Sequence, residues 1–197
     1  MESLEYTKMF QLEDRHWWFV AKRRFTAAIL STLSLKQAKI LDVGCGTGRN
    51  MLMLQEFGTV SGVDLSPLAI KYCRQRGLTQ LQQGSADSLP FPASSFDLVT
   101  LFDVLYHQGI KSDIKVLQEV FRVLQPKGYI LITDCAHPWL FGPHDQVMQA
   151  RQRYTKKELT QKLTSAGFTV IRASYLFMFT FPVFVVNRLL KKYFNVS

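Results

Sequence analysis

With 197 residues, of which 47% are apolar and 20% charged, the chain is sized for a single domain with a substantial core, not for a disordered segment. Its formal charge is +9, and its cysteines, Cys45, Cys73 and Cys135, are an odd set without metal-ligand spacing. That set argues against a disulfide framework or a metal site and for a reducing, cytoplasmic setting; Met1–Phe19 is polar and mixed, unlike a secretory signal.

The chain opens with a segment, 1–38, that reads as a helical lid. Glu13-Asp14-Arg15-His16-Trp17-Trp18-Phe19 packs two tryptophans beside a histidine and cations. Two readings stand: the lid closes over a ligand, or its aromatics pack on the outer helices of a sheet. From residue 39 strands and helices alternate. Strands are predicted near 39–43, 59–63, 79–83, 96–101, 128–133 and 168–173, and helices near 48–57, 66–76, 112–124 and 155–166. Ser66-Pro67 starts one helix with a cap and a first-turn proline, and Thr155 with Glu158 forms a capping box that Gly167 ends. Pro126 and Gly128 are expected to stop the helix from 112. Alternation of this kind implies an α/β fold, a mainly parallel sheet with helices on both faces.

The most informative run is Ile40-Leu-Asp-Val-Gly-Cys-Gly-Thr-Gly48. A strand enters three glycines at alternate positions, where the backbone turns tightly and a ligand can approach closely. A dinucleotide fingerprint has its third glycine three residues after the second; here Gly44, Gly46 and Gly48 are evenly spaced. Asp42, at the strand end, would repel a pyrophosphate and would suit a cationic group such as an ammonium. Cys45 sits among glycines, where a small side chain is what the loop tolerates, so a nucleophilic role is not expected. Asp64 follows about 20 residues after the loop, where a carboxylate can hold a ribose diol.

The nine-residue run resembles the first motif of the class I S-adenosylmethionine (SAM)-dependent methyltransferases nearly residue for residue. The likeness is close over Lys39–Thr133 and looser to Ala173. It implies a Rossmann-like, doubly wound sheet of the seven-stranded type, with SAM as cofactor and S-adenosylhomocysteine as product. The implied cofactor residues are Asp42, Gly44, Cys45, Gly46, Gly48, Asp64, Leu65, Ala86, Asp87, Phe102 and Asp103. Asp87 would face the adenine amine, and Asp42 the methionine ammonium. From the lid, Trp18 would cover the site and Arg23, or Lys22, would reach the methionine carboxylate. Transfer from a sulfonium needs mainly alignment, and a base only where the acceptor loses a proton. His107, after the fourth strand, is the first candidate base. Asp134, His137 and His144 are the alternatives. Related sequences often carry a glutamate where this chain has Tyr106.

The expected activity is therefore methyl transfer to oxygen, nitrogen or carbon of a small-molecule or lipid-linked acceptor. A SAM-binding regulatory or assembly protein without catalysis is the alternative, and a nicotinamide oxidoreductase a third, against which Asp42 argues. The loop 135–149, with its aromatics, is expected to line the acceptor pocket.

The rest of the chain departs from the pattern. The core is expected to span 39–174, followed by an apolar and basic segment, 175–197. From Arg151 onward stand nine Lys or Arg against one acid, Glu158. Tyr175–Val186 is an apolar run of 12 residues, too short for the roughly 17–25 of a spanning helix. Followed by Arg188, Lys191 and Lys192, it suits peripheral contact of 175–192 with a membrane. Nucleic acid is the weaker reading of the basic charge, since no reading motif accompanies it. The resemblance also implies a closing hairpin whose first arm is Phe168–Ala173. Either the apolar run supplies the second arm, or it is missing and a sheet edge is exposed, a reason for membrane docking or a homo-oligomer.

Overall fold

The computed structural model describes residues 3–183, 185 and 186. Its centre is β1 (Ala38–Val43), paired in parallel with β2 (Gly58–Asp64) on one side and β4 (Phe96–Phe102) on the other. β3 (Leu81–Gln83) flanks β2, and β5 (Leu124–Thr133) flanks β4, giving the order β3-β2-β1-β4-β5, parallel throughout. The chain leaves β1 towards β2 and later returns to β1's other side with β4. The carboxyl ends of β1 and β4 thus meet at the point where open α/β sheets bind ligands.

Alternation along the strands builds two cores. Leu41, Val43, Val99 and Leu101 point to one face, covered by α5 (Asp113–Val123) through Val116, Leu117 and Val120, with α7 (Lys156–Ser165) beside it. Ile40, Val60 and Leu98 point to the other, covered by Met51 and Leu54 of α3 (Arg49–Leu54), Ile70 and Cys73 of α4 (Pro67–Gln75), and Leu30 of α2 (Trp17–Leu30). α1 (Ser3–Leu12) lies against α4, with Phe10 on Tyr72 and on the Arg76 guanidinium. The short α6 (Pro143–Val147) belongs to the loop after β5.

The helices fall close to where their caps place them, although Ser66 precedes α4 without a side-chain capping bond. Ser112 accepts from the Lys115 amide, and Thr155 and Glu158 form the expected capping box. Two expectations fail. Helix α5 ends at Val123, within a residue of the expected 124, but Pro126 and Gly128 are not what stops it: Leu124 already pairs with Phe96, so helix passes into strand without a turn. The strand expected at 168–173 does not form. The alternation there suits a strand, but a strand needs a ladder partner, and Phe168 docks its ring on Phe121 instead. The apolar run is no second arm either: it turns at 178–180 and is helical at 181–183, 185 and 186. Among the described residues β5 is therefore an edge strand. No helix among them is long and apolar enough to cross a membrane. Arg188, Lys191 and Lys192 lie outside the described residues.

Candidate functional site

The loop after β1 is held by backbone. The Gly44 and Cys45 amides donate to the Val63 carbonyl at 2.8 and 3.1 Å, and Gly44, Gly46 and Gly48 all take positive φ (69°, 55° and 83°). At Gly44 a Cβ would stand 2.6 Å from Val104 Cγ2, and at Gly48 2.5 Å from Leu78 Cδ1, so the tight, unencumbered arc depends on their lacking one. Asp64, at the tip of β2, accepts from the Gly46 amide on one oxygen and the Ser66 amide on the other, each at 2.9 Å. Burial pushes its carboxyl up, and those two amides oppose the shift.

Asp42 stands at the carboxyl end of β1, as expected, but its side chain turns away from the cavity. It is 1% exposed, lies directly opposite Thr100 in the β1–β4 ladder, and accepts that hydroxyl at 2.7 Å. Strand register turns it under the loop, towards the α2–α3 face, and it does not line the cavity. Burial raises its carboxyl to about 7. Asp87 is also off the lining: it accepts the Ser85 hydroxyl at 2.6 Å, while Gly84, Ser85 and Ala86 face the cavity. Cys45 is buried 3.8 Å from Cys73, its thiol pushed far up, which suits a packing role.

Leu65, Phe102, Asp103, His107, Trp18 and Arg23 all line the cavity with the loop. Asp103 sits at φ 58°, just past β4, and pairs with Lys22 from α2. Lys22 thus reaches a carboxylate of the protein. Arg23 is buried and donates to the Glu13 carbonyl at 2.5 Å. The β4–β5 register, Phe102 opposite Thr133, brings Asp134 beside Asp103. Asp134 accepts from the Tyr106 and Cys135 amides at 3.2 and 2.8 Å; burial and then the Asp103 charge lift it to about 8. His107 is half-buried, with Nδ1 accepting from the Gly109 amide at 3.1 Å, and burial lowers its pKa.

The elbow between α1 and α2 falls inside the segment expected to act as a lid, but its carboxylates were not among the expected site residues. Glu13 there is buried, accepts from Thr47 of the glycine loop, and pairs with Arg76 at 2.8 Å. Asp14 pairs with Arg49 and, at 3.2 Å, with Arg76, whose Nε donates to the Thr47 carbonyl at 3.0 Å. The elbow is thus clasped to the loop's far end. The Glu13-Asp14 pair, flanked by cations in the sequence, was the only available signal.

Beyond Asp103 the cavity opens into an aromatic chamber. Phe177 lies 4.4 Å from Trp18 and touches Trp17 and Phe25, tying the C-terminal segment to α2. His137 stacks on Tyr175 at 4.7 Å and on Phe181 at 4.7 Å. It is a roof residue here, and His144 stands on α6. The lining continues along the open edge of β5 to Gln125 and Ser94, so its total of about 2190 Å³ takes in more than this site.

The methyltransferase domain family matches residues 41–132. An uncharacterized methyltransferase from Synechocystis is 31% identical over 162 residues, 77% of this chain and 76% of its own length. A demethylmenaquinone methyltransferase from Listeria monocytogenes is 35% identical over 129 residues, 60% of this chain and 53% of its own, so the chain spans about half the length of that relative. Among solved structures, an S-adenosylmethionine dependent methyltransferase from Mesorhizobium loti superposes with a TM-score of 0.65, 19% identity, and coverage of 83% of this chain and 90% of that one.

Proposed function

The chain belongs to the class I SAM-dependent methyltransferases, and from that premise we propose that it methylates a flat, largely apolar acceptor, a small molecule or the head of a lipid-linked one. The observation that carries this is the continuity of the cavity from the glycine loop, past Asp103, into the aromatic chamber under Trp18, His137 and Phe177. The relative that acts on demethylmenaquinone supports the same class of acceptor.

SAM, when bound, supplies a methyl group already activated on a sulfonium. The residues fit it: the arc of Gly44, Gly46 and Gly48 is kept open by missing side chains, and Asp64 keeps lone pairs for a ribose diol while its amide bonds hold it still. Leu65, Phe102 and Ala86 would wall the adenine, Cys45 keeps the loop compact, and Asp87 fixes Ser85. Arg23 offers cationic charge to the methionine carboxylate. Asp42, held by Thr100 and off the cavity lining, would support the loop from beneath. Asp103, paired with Lys22, marks the border between cofactor and acceptor. The protein's work is alignment and exclusion of water. His107, its pKa lowered by burial, takes the proton of a hydroxyl or acidic carbon acceptor on Nδ1, where the acceptor would displace the Gly109 amide.

Calorimetry with SAM and S-adenosylhomocysteine, with NADH as control, tests the cofactor half; binding of NADH alone would sink it. Transfer of labelled methyl into lipid extracts tests the acceptor half. His107→Ala is expected to lower kcat about 100-fold or more for an acceptor that loses a proton, at unchanged SAM affinity; an unchanged kcat removes His107 from the reaction.

A further inference from the structure

The last described turn of the chain buries one side and bares the other. Phe177 and Phe181, four residues apart, face inwards onto Trp18 and His137, and the Phe181 amide donates to the Phe177 carbonyl at 3.1 Å. Their neighbours face solvent: Phe179 is 99% exposed, Val183 73% and Met178 58%. Trp17 beside this turn and Trp139 from the loop after β5 are each more than half exposed. Phe177 touches Trp17 and Phe181 touches Trp139, so three segments distant in sequence contribute to one apolar ridge. Scattered exposed apolar residues mean little, but a contiguous ridge marks an interaction surface.

Charge selects the occupant. The three segments, 15–35, 135–144 and 167–186, contain no Asp or Glu. They carry exposed Arg15, Arg24 and Arg172, while the bordering acids Asp14 and Asp145 are paired with arginines of the protein itself. Two copies meeting through this face would set the same uncompensated cations against one another, because a twofold interface is self-complementary. An anionic bilayer satisfies both features, taking Trp and Phe at the headgroup boundary and drawing arginines to its surface potential.

We infer that the ridge of Trp17, Trp139, Met178, Phe179 and Val183 is a docking surface for anionic lipid bilayers. It deepens the acceptor reading above, because the ridge and the aromatic chamber share Phe177, Phe181 and the two tryptophan-bearing segments. A lipid-linked acceptor then passes from the bilayer into the cavity without crossing water.

The test is co-sedimentation of the full chain with vesicles of phosphatidylcholine alone and with about 30 mol% phosphatidylglycerol. The expected result is partitioning at least about tenfold stronger with the anionic lipid, weakening with salt. Phe179→Glu with Val183→Glu is expected to abolish it, and Arg15→Gln with Arg172→Gln to weaken it, each at unchanged melting temperature. No association with anionic vesicles overturns the inference. So does association that the Phe179→Glu, Val183→Glu variant retains, or a concentration-dependent dimer that this variant loses. SAM affinity, measured on the same samples, separates the two readings: lost vesicle binding with intact SAM binding removes only the docking surface.

Discussion

The two ends of the cavity are built by different means. Around the glycine loop, fixed backbone geometry does the shaping: Gly44, Cys45 and Gly46 amides reach Val63 and Asp64, and side chains near them are buried. At the other end the walls are rings stacked on rings, Phe177 on Trp18 and Tyr175 on His137, with few hydrogen bonds and much exposure. Backbone cradles tolerate little change, because a single added carbon collides. Stacked aromatics exchange one ring for another at modest cost. The first construction suits a ligand common to a whole family, and the second a ligand that differs between members.

Substitutions at each end sharpen that contrast. The largest effect is expected at the clasp. Arg76→Ala strands Glu13, whose side chain is 8% exposed, and is expected to cost about 3 kcal/mol. That is a fall in Tm of about 6–12 °C for a chain of this size, with SAM bound about tenfold more weakly. Differential scanning calorimetry and titration check it, and an unchanged Tm would show that the elbow is not fastened. A smaller effect is expected at the chamber: Trp18→Ala should raise the acceptor KM about tenfold through lost stacking, with SAM affinity within about twofold. Equal damage to both affinities would erase the distinction between the ends.

The third effect is a pH dependence, read on stability and not on binding. Asp42 is raised by burial to about 7, against about 3.9 in an unfolded chain. The folded protein thus binds the proton more tightly. Asp42's contribution to stability is complete below pH 4 and is lost as pH rises through 7. Asp42→Asn removes that loss, so the Tm of the variant minus that of the native chain should grow between pH 5 and 8. A flat difference would mean that Asp42 ionises freely.

Much of the first end was legible in the sequence and little of the second. A strand, three alternating glycines and an acid about 20 residues later encode backbone geometry directly, because glycine is the residue that accepts those φ values without strain. What the motif could not show was strand register, which faces Asp42 towards Thr100 instead of the cavity. The second end depends on contacts between residues over 100 apart, such as Trp18 with Phe177, which no local pattern reports. Thr169-Val170-Ile171 likewise reads as a strand by propensity, yet it forms no ladder with the open edge of β5.

The clasp at Glu13 also bears on the timing of turnover. A molecule lodged behind Gly46 and Thr47 leaves on that side only after Glu13 releases both Thr47 and Arg76 and Asp14 releases Arg49. Those bonds span the elbow, the loop and the end of α4, so they yield together. Loosening of the elbow, not of the aromatic chamber, is therefore what would open that side of the loop.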